Sequence, residues 1–184
     1  MKNVLVILAE GFEEIEAVCA IDVLRRAGAE VVVAGLDAKP VKASRGVVIV
    51  PDAPLEDVAE HDFDLVVLPG GMPGAANLRD DPRVKEVIAR ALEKGLMVGA
   101  ICAAPAVVLA SHGFLHGRRA TCHPNLESEM TTGTLTGDRV TVDGNIVTSK
   151  GPGTALEFAL TLVEQLFGKA KAEEVNAPMF TRLS

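Results

Sequence analysis

The sequence predicts an α/β fold: a mostly parallel, doubly wound sheet sandwiched by helices, with one small β-hairpin. Three observations carry that expectation. Short Val/Ile/Leu runs recur along the chain, as in strands buried on both faces. Longer segments with helical periodicity follow most of them, the alternation that builds a parallel sheet. Glycines stand where those helices need to stop.

The elements follow in order. Residues 4–8 read as a strand and residues 12–27 as the helix after it, ended by Gly28. Residues 30–34 and 65–68 are two further strands. Asp81 before Pro82 is an N-cap with proline at the first helical position, opening a helix over 82–94 that Gly95 ends. Residues 97–101 are a buried strand that runs straight into a helix over 103–111, stopped by Gly113. Residues 119–121 read as a short strand, and 140–147 as a hairpin turning at Asp143-Gly144. Thr154 and Glu157 have the spacing of a capping box, which opens the last expected helix, 154–167, before Gly168. A length of 184 residues fits a single domain over 1–184, and no repeat, low-complexity tract or linker divides it.

Composition narrows the function. Apolar residues make up 48% of the chain and charged residues 23%, a globular balance. With six Phe and no Trp or Tyr, the core must be aliphatic. A net charge of −7 repels phosphate, and the scarcity of aromatics withholds stacking platforms, so nucleic acid is not expected as a primary partner. The apolar run 4–9 is too short for a signal peptide, and Glu10, Glu13, Glu14 and Glu16 follow at once. The longest apolar stretch, 96–110, is broken by Gly99 and Pro105 and is shorter than a membrane span. Three cysteines without a CxxC pair argue against a disulfide framework or a zinc site. The expected compartment is the cytoplasm, with no metal and no cofactor.

Ligands of such sheets bind at the carboxyl ends of the strands. Cys102 stands there, on a junction too short for a loop, as in a nucleophile elbow. The N–H groups of the following helix would lower its pKa below the ordinary thiol value of about 8.5. A buried, inert core cysteine is the other reading. The loop Leu68-Pro-Gly-Gly71 leaves a neighbouring strand end; either it is a simple tight turn, or the N–H groups of Gly71 and Ala103 hold a developing oxyanion. Glu16 lies on a helical stripe with Phe12, Cys19, Ala20 and Val23. There it is either a protonated carboxyl beside a thiolate, or a half-exposed glutamate at a helix start. His123-Pro124 follows the short strand and offers a fourth group.

Together these residues resemble the ThiJ/PfpI superfamily, nearest the branch that holds the parkinsonism-associated protein deglycase and bacterial YajL. The anchors are Gly11-Phe-Glu-Glu-Ile-Glu16, Asp22-Val-Leu-Arg-Arg-Ala-Gly28, Leu68-Pro-Gly-Gly71, Ala100-Ile-Cys-Ala103, His123-Pro124 and Ser149-Lys-Gly-Pro-Gly-Thr154. The resemblance implies a flavodoxin-like fold and a homodimer. It implies Cys102 as a nucleophile in a strained conformation, Glu16 as its protonated partner, Gly70, Gly71 and Ala103 at the oxyanion and substrate site, and His123 nearby. It places Arg26 and Arg45 near the site or the interface. The implied activity is that of a cofactor-free glyoxalase or deglycase acting on methylglyoxal, glyoxal or glycated side chains. The rival is a redox-sensing chaperone whose Cys102 is oxidised to sulfinic acid. Peptidase and amidotransferase readings are weak, because Ala103 follows the cysteine and His123 lacks the His-x-Glu pattern. The sequence departs from the family pattern at Ala104 in place of glycine, at Ala43 and Val50 in place of cysteines, and at Cys122 in place of threonine.

Overall fold

In the strand β1, Asn3–Leu8, the five residues Val4 through Leu8 are all 0% exposed. Its side chains alternate, Val4, Val6 and Leu8 joining one core and Leu5 and Ile7 the other. Successive residues of a strand point to opposite faces, so an unbroken apolar run is what two covered faces require. The computed structural model describes residues 1–181.

After β1 come α1 (Glu14–Arg26), β2 (Glu30–Gly35) and a small ladder of β3 (Val41–Lys42) with β4 (Val48–Ile49). β5 (Ala53–Pro54), α2 (Leu55–Val58), β6 (Leu65–Leu68), α3 (Gly74–Asp80), α4 (Pro82–Glu93) and β7 (Met97–Ile101) follow. A π-helical stretch, Pro105–Ala110, leads to β8 (Arg119–Ala120), β9 (Thr134–Leu135), β10 (Val140–Asp143), β11 (Ile146–Ser149), α5 (Ala155–Phe167) and α6 (Lys169–Asn176).

The main sheet has the order β10-β11-β7-β6-β1-β2-β5, parallel throughout except for the β10–β11 hairpin. Its inner parallel strands, β2-β1-β6-β7-β11, follow the flavodoxin-like order. The chain reverses direction across the sheet between β1 and β6, and the crevice at their carboxyl ends is where such folds bind ligands. Helices α1, α5 and α6 cover one face through Ala17, Leu24, Phe158, Leu162 and Val175. The opposite face carries α2, α3, α4 and the π-helical stretch through Leu55, Leu78, Ile88 and Val108.

Residues 65–68 and 97–101 are strands with the expected bounds, and Asp81 caps α4 by accepting the Arg83 N–H. Three local expectations are corrected. The capping box at Thr154 does not form: its hydroxyl lies 2.6 Å from Ser149 Oγ and donates to Gly151 O, while Glu157 pairs with Arg139. Residues 103–111 do not make a regular α-helix. Pro105 has no N–H to give, and the Ser111 hydroxyl donates to the Val107 and Val108 carbonyls inside the turn. The hairpin turns one residue later than expected, because Asp143 pairs with Ile146 and leaves Gly144-Asn145 as the loop. Among the described residues no helix is long and apolar enough to cross a membrane.

Candidate active site

Cys102 follows β7 directly and has φ 64°, in the left-handed region that a residue with a β-carbon rarely enters. Such a conformation costs about 1–3 kcal/mol and persists only when its surroundings hold it. Here the Cys102 N–H donates to Ser149 O at 2.9 Å, and its carbonyl accepts the His123 N–H at 2.9 Å. The elbow is thus clamped between β11 and the segment after β8.

The loop after β6 packs against that elbow. A methyl group on Gly70 would lie 2.6 Å from Cys102 Cβ and 2.8 Å from Ala103 N, so only hydrogen fits. Gly71 has φ 86°, and a methyl group there would lie 2.5 Å from both Glu13 N and Gly11 O. The loop is wedged between the elbow and the start of α1, and Gly70 O accepts the Glu13 N–H. This arrangement sets the backbone N–H groups of Gly71 and Ala103 on the Cys102 sulfur.

Glu16, in the first turn of α1, is 1% exposed. Its Oε2 accepts the Gly70 N–H at 2.8 Å. Its Oε1 is buried with no hydrogen-bond partner among the described residues, and the carboxyl's charge bears on the nearby Cys102. Burial pushes the Glu16 carboxyl up to about 7, against the opposing pull of the Gly70 N–H. Burial, then the Glu16 charge, push the Cys102 thiol up to about 12, while the Gly71 and Ala103 N–H groups pull it down. The expectation of a simply lowered thiol pKa is therefore corrected. Two anions are disfavoured in so buried a place, so each group opposes the ionisation of the other. The Gly71 and Ala103 N–H groups favour charge on the sulfur, and burial and the Glu16 charge oppose it.

His123 stands at the start of a short 3₁₀ helix, Pro124–Glu129, and its Nδ1 accepts the Asn125 N–H at 3.2 Å. A methyl group built on Gly151 would meet two atoms within 4 Å: His123 Cδ2 at 3.5 Å and Cys102 Sγ at 4.0 Å. Gly151 thus leaves open the space that the thiol and the imidazole frame.

The arginines divide. Arg45 lies in the turn between β3 and β4, where its N–H donates to Glu14 at 2.9 Å, beside the start of α1. Arg26 pairs with Asp22 at the far end of α1, about 15 Å along the helix from Glu16, and the fold does not gather it with Cys102. Sequence reasoning missed Glu14. This buried carboxylate accepts from Ser44 Oγ and Arg45 N and ties the β3–β4 turn to α1. In the sequence it is one of a run of acidic residues, and nothing there marks it. Cys19 is half-buried on α1 and raised by burial; Cys122 is 0% exposed and pushed up to about 11 by burial. A cavity of about 520 Å³ opens at the carboxyl ends of β1 and β2, lined by Glu10, Asp37 and Asp81, with none of the Cys102 group among its walls.

The profile of the DJ-1/PfpI family matches residues 2–165. Parkinson disease protein 7 homolog of Danio rerio is 47% identical over 186 residues, covering 98% of both chains. Glutathione-independent glyoxalase DJR-1.2 of Caenorhabditis elegans is 42% identical, covering 97% of this chain and 96% of that one. Among solved structures, Drosophila melanogaster DJ-1beta superposes with a TM-score of 0.96 at 44% identity, covering 99% of each chain. Oxidized Toxoplasma gondii DJ-1 superposes at 0.94 with 42% identity over the full length of both. By sequence match and by fold, then, this chain belongs to the DJ-1/PfpI family.

Proposed function

We propose that this protein is a cysteine-dependent enzyme of the glutathione-independent glyoxalase type, converting methylglyoxal to lactate and glyoxal to glycolate. The observation that carries it is the strained elbow at Cys102, φ 64°, packed against Gly70, whose N–H the buried Glu16 carboxyl holds at 2.8 Å. The 42% identical nematode glyoxalase supports it.

The chemistry follows from the geometry. The Cys102 thiolate adds to the aldehyde carbon, and the Gly71 and Ala103 N–H groups receive the charge developing on its oxygen. Glu16 gives its proton to that oxygen and becomes a carboxylate. It then removes the hydrogen from the carbon bearing sulfur, and the electrons move to the second carbonyl oxygen as an enediol forms. Glu16 returns that hydrogen to the neighbouring carbon, and the hydroxyl proton of the first carbon passes to the second oxygen. The product is a lactoyl thioester on Cys102. Water attacks it, the carbon–sulfur bond breaks, and lactate leaves with the thiolate restored. Glycated thiols and amines release the free aldehyde in equilibrium, so their apparent deglycation follows from draining it.

The same reading assigns the protein to the cytoplasm, where its three unpaired cysteines stay reduced. It also pairs α1 with a second copy of the chain, because Ile15 and Val18 are about half exposed on that helix. The test is lactate production by metal-stripped protein without glutathione, expected of the wild type and not of Cys102→Ala. Equal rates in the two, or no lactate from either, overturn the enzyme reading. In that outcome first oxidation of Cys102 by limiting peroxide supports the redox-sensing chaperone instead.

A further inference from the structure

We propose that Thr154 is a positioning residue for the thiol: its hydroxyl ties together the strand end that clamps Cys102 and the Gly151 peptide beside the sulfur. This rests on the reading of Cys102 as the nucleophile.

Thr154 stands just before α5 and is 5% exposed, and Ser149, at the end of β11, is 0% exposed. Hydroxyls so buried need partners within the protein. The Thr154 oxygen accepts the Gly151 N–H at 3.2 Å, and its hydrogen goes to Gly151 O at 2.9 Å. The hydroxyl oxygens of Ser149 and Thr154 are 2.6 Å apart, so a hydrogen lies between them. With the Thr154 hydrogen on Gly151 O, that hydrogen comes from Ser149. Both lone pairs and the single hydrogen of Thr154 are then in use. Ser149 has a further acceptor in reach, Arg139 O at 2.9 Å. The two hydroxyls can therefore turn together, Thr154 donating to Ser149 and Ser149 to Arg139 O. Neither carbonyl is orphaned by the change, because Gly151 O keeps the Thr154 N–H at 2.9 Å and Arg139 O keeps the Lys150 N–H at 3.2 Å. In both arrangements Thr154 is bonded to Ser149 and takes the Gly151 N–H.

These bonds reach the thiol by two routes. Ser149 O accepts the Cys102 N–H at 2.9 Å, half of the clamp on a residue held at φ 64°. Gly151 lies beside the sulfur, since a methyl group built on it would come within 4.0 Å of Cys102 Sγ. A strained backbone persists only where its surroundings fix it. A side chain without a hydroxyl at position 154 takes away the acceptor of the buried Gly151 N–H and frees Ser149 from the loop. The elbow then relaxes, and the sulfur loses its place on the Gly71 and Ala103 N–H groups. Thr154 needs no contact with substrate and acts through Cys102.

The test uses Thr154→Ser, Thr154→Val and Thr154→Ala in the full chain, with rates taken per folded molecule. Serine keeps the hydroxyl, and valine keeps the shape. If Thr154 only filled space, valine would be the better substitute; a hydroxyl role makes serine the better one. Alkylation of Cys102 by iodoacetamide should stay within about threefold of wild type in Thr154→Ser and slow about tenfold in Thr154→Val and Thr154→Ala. The kcat for lactate should fall in parallel, with KM held within about threefold. Hydrogen exchange of the Gly151 and Cys102 amides should quicken about tenfold in Thr154→Val while the β1 amides keep their protection, which separates local loosening from global unfolding. Thr154→Ala differs from Thr154→Ser by one oxygen and carries the comparison if the valine variant does not fold. Wild-type alkylation in the valine and alanine variants, or a serine variant as slow as they are, overturns the proposal. Failure of the enzyme reading is separate: no lactate from wild type removes the turnover, while alkylation and amide exchange still decide the role of Thr154.

Discussion

Glu16 binds a proton in the folded protein at pH values where the unfolded chain has lost it. Its carboxyl is raised from 4.5 to about 7, chiefly by burial. Between those values the native state holds more protons than the unfolded state, so stability falls as pH rises. The contribution is fully present below about 4.5 and lost by about pH 7. Its size is on the order of 3 kcal/mol, from about 1.4 kcal/mol per pKa unit. Urea unfolding followed from pH 4.5 to 7.5 should show that decline in wild type and a flatter profile in Glu16→Gln. Glu16→Gln should also keep alkylation of Cys102 while turnover falls about a hundredfold or more, because glutamine donates a hydrogen bond and cannot carry a proton. Gly151 gives a second outcome at this scale. Its backbone is extended, with φ 166°, so alanine fits there without strain. The added methyl would occupy the space framed by Cys102 and His123. Gly151→Ala should therefore unfold within about 1 kcal/mol of wild type while kcat/KM for methylglyoxal drops about tenfold. The placing of Cys102 on an elbow is legible in the sequence, because a strand meets a helix there with no residues to spare. The place of Glu16 is not legible, because no spacing reveals that residue 16 holds the loop packed on residue 102.

The loop between β6 and α3 shows how an element can be fixed by what it excludes. Gly70 faces the elbow and Gly71 faces the start of α1, each without room for a methyl group. Gly70→Ala must push Cys102 Cβ or the Ala103 N–H aside. It should cost about 3 kcal/mol in urea unfolding and about a hundredfold in lactate formation. If activity stays within threefold, the loop does not position the oxyanion groups. The long elements around it are written in their own residues. Residues 65–68 and 97–101 are all-apolar strands because helices cover both faces, and Asp81-Pro82 names the start of α4. The short elements are not. β3, β4, β5 and β9 have two residues each, too few to show a period, and pairing with another strand creates them, whereas β8 falls within the short strand expected over 119–121. The failed capping box at Thr154 has the same origin. Locally its hydroxyl has a helix start to serve, but the fold delivers Ser149 and Gly151 to it first.

At the scale of the whole molecule, one apolar surface has no cover among the described residues. Ile15 and Val18 on α1 and Val47, Val48 and Val50 around β4 are all about half exposed or more. The Glu14 bonds to Ser44 and Arg45 hold these two elements together as one face. Aliphatic side chains gathered this way on a surface mark an association site, and a two-fold symmetric copy is the simplest partner. Light scattering at micromolar concentration should give the mass of two chains for wild type and of one chain for Val18→Glu. A wild-type monomer would contradict the dimer. The face itself is legible in the sequence as a helix apolar nearly all round. The β4 half of it is not, because Val47, Val48 and Val50 belong to a turn that acquires its place only through α1.

The clamp on Cys102 also orders events during biosynthesis. Its two backbone bonds reach forward to residues that a ribosome makes much later, His123 and Ser149. Until the strand ending at Ser149 has left the exit tunnel and docked on β7, the elbow lacks its backbone bond to Ser149. The nascent chain therefore carries Cys102 without its clamp until β11 has been made.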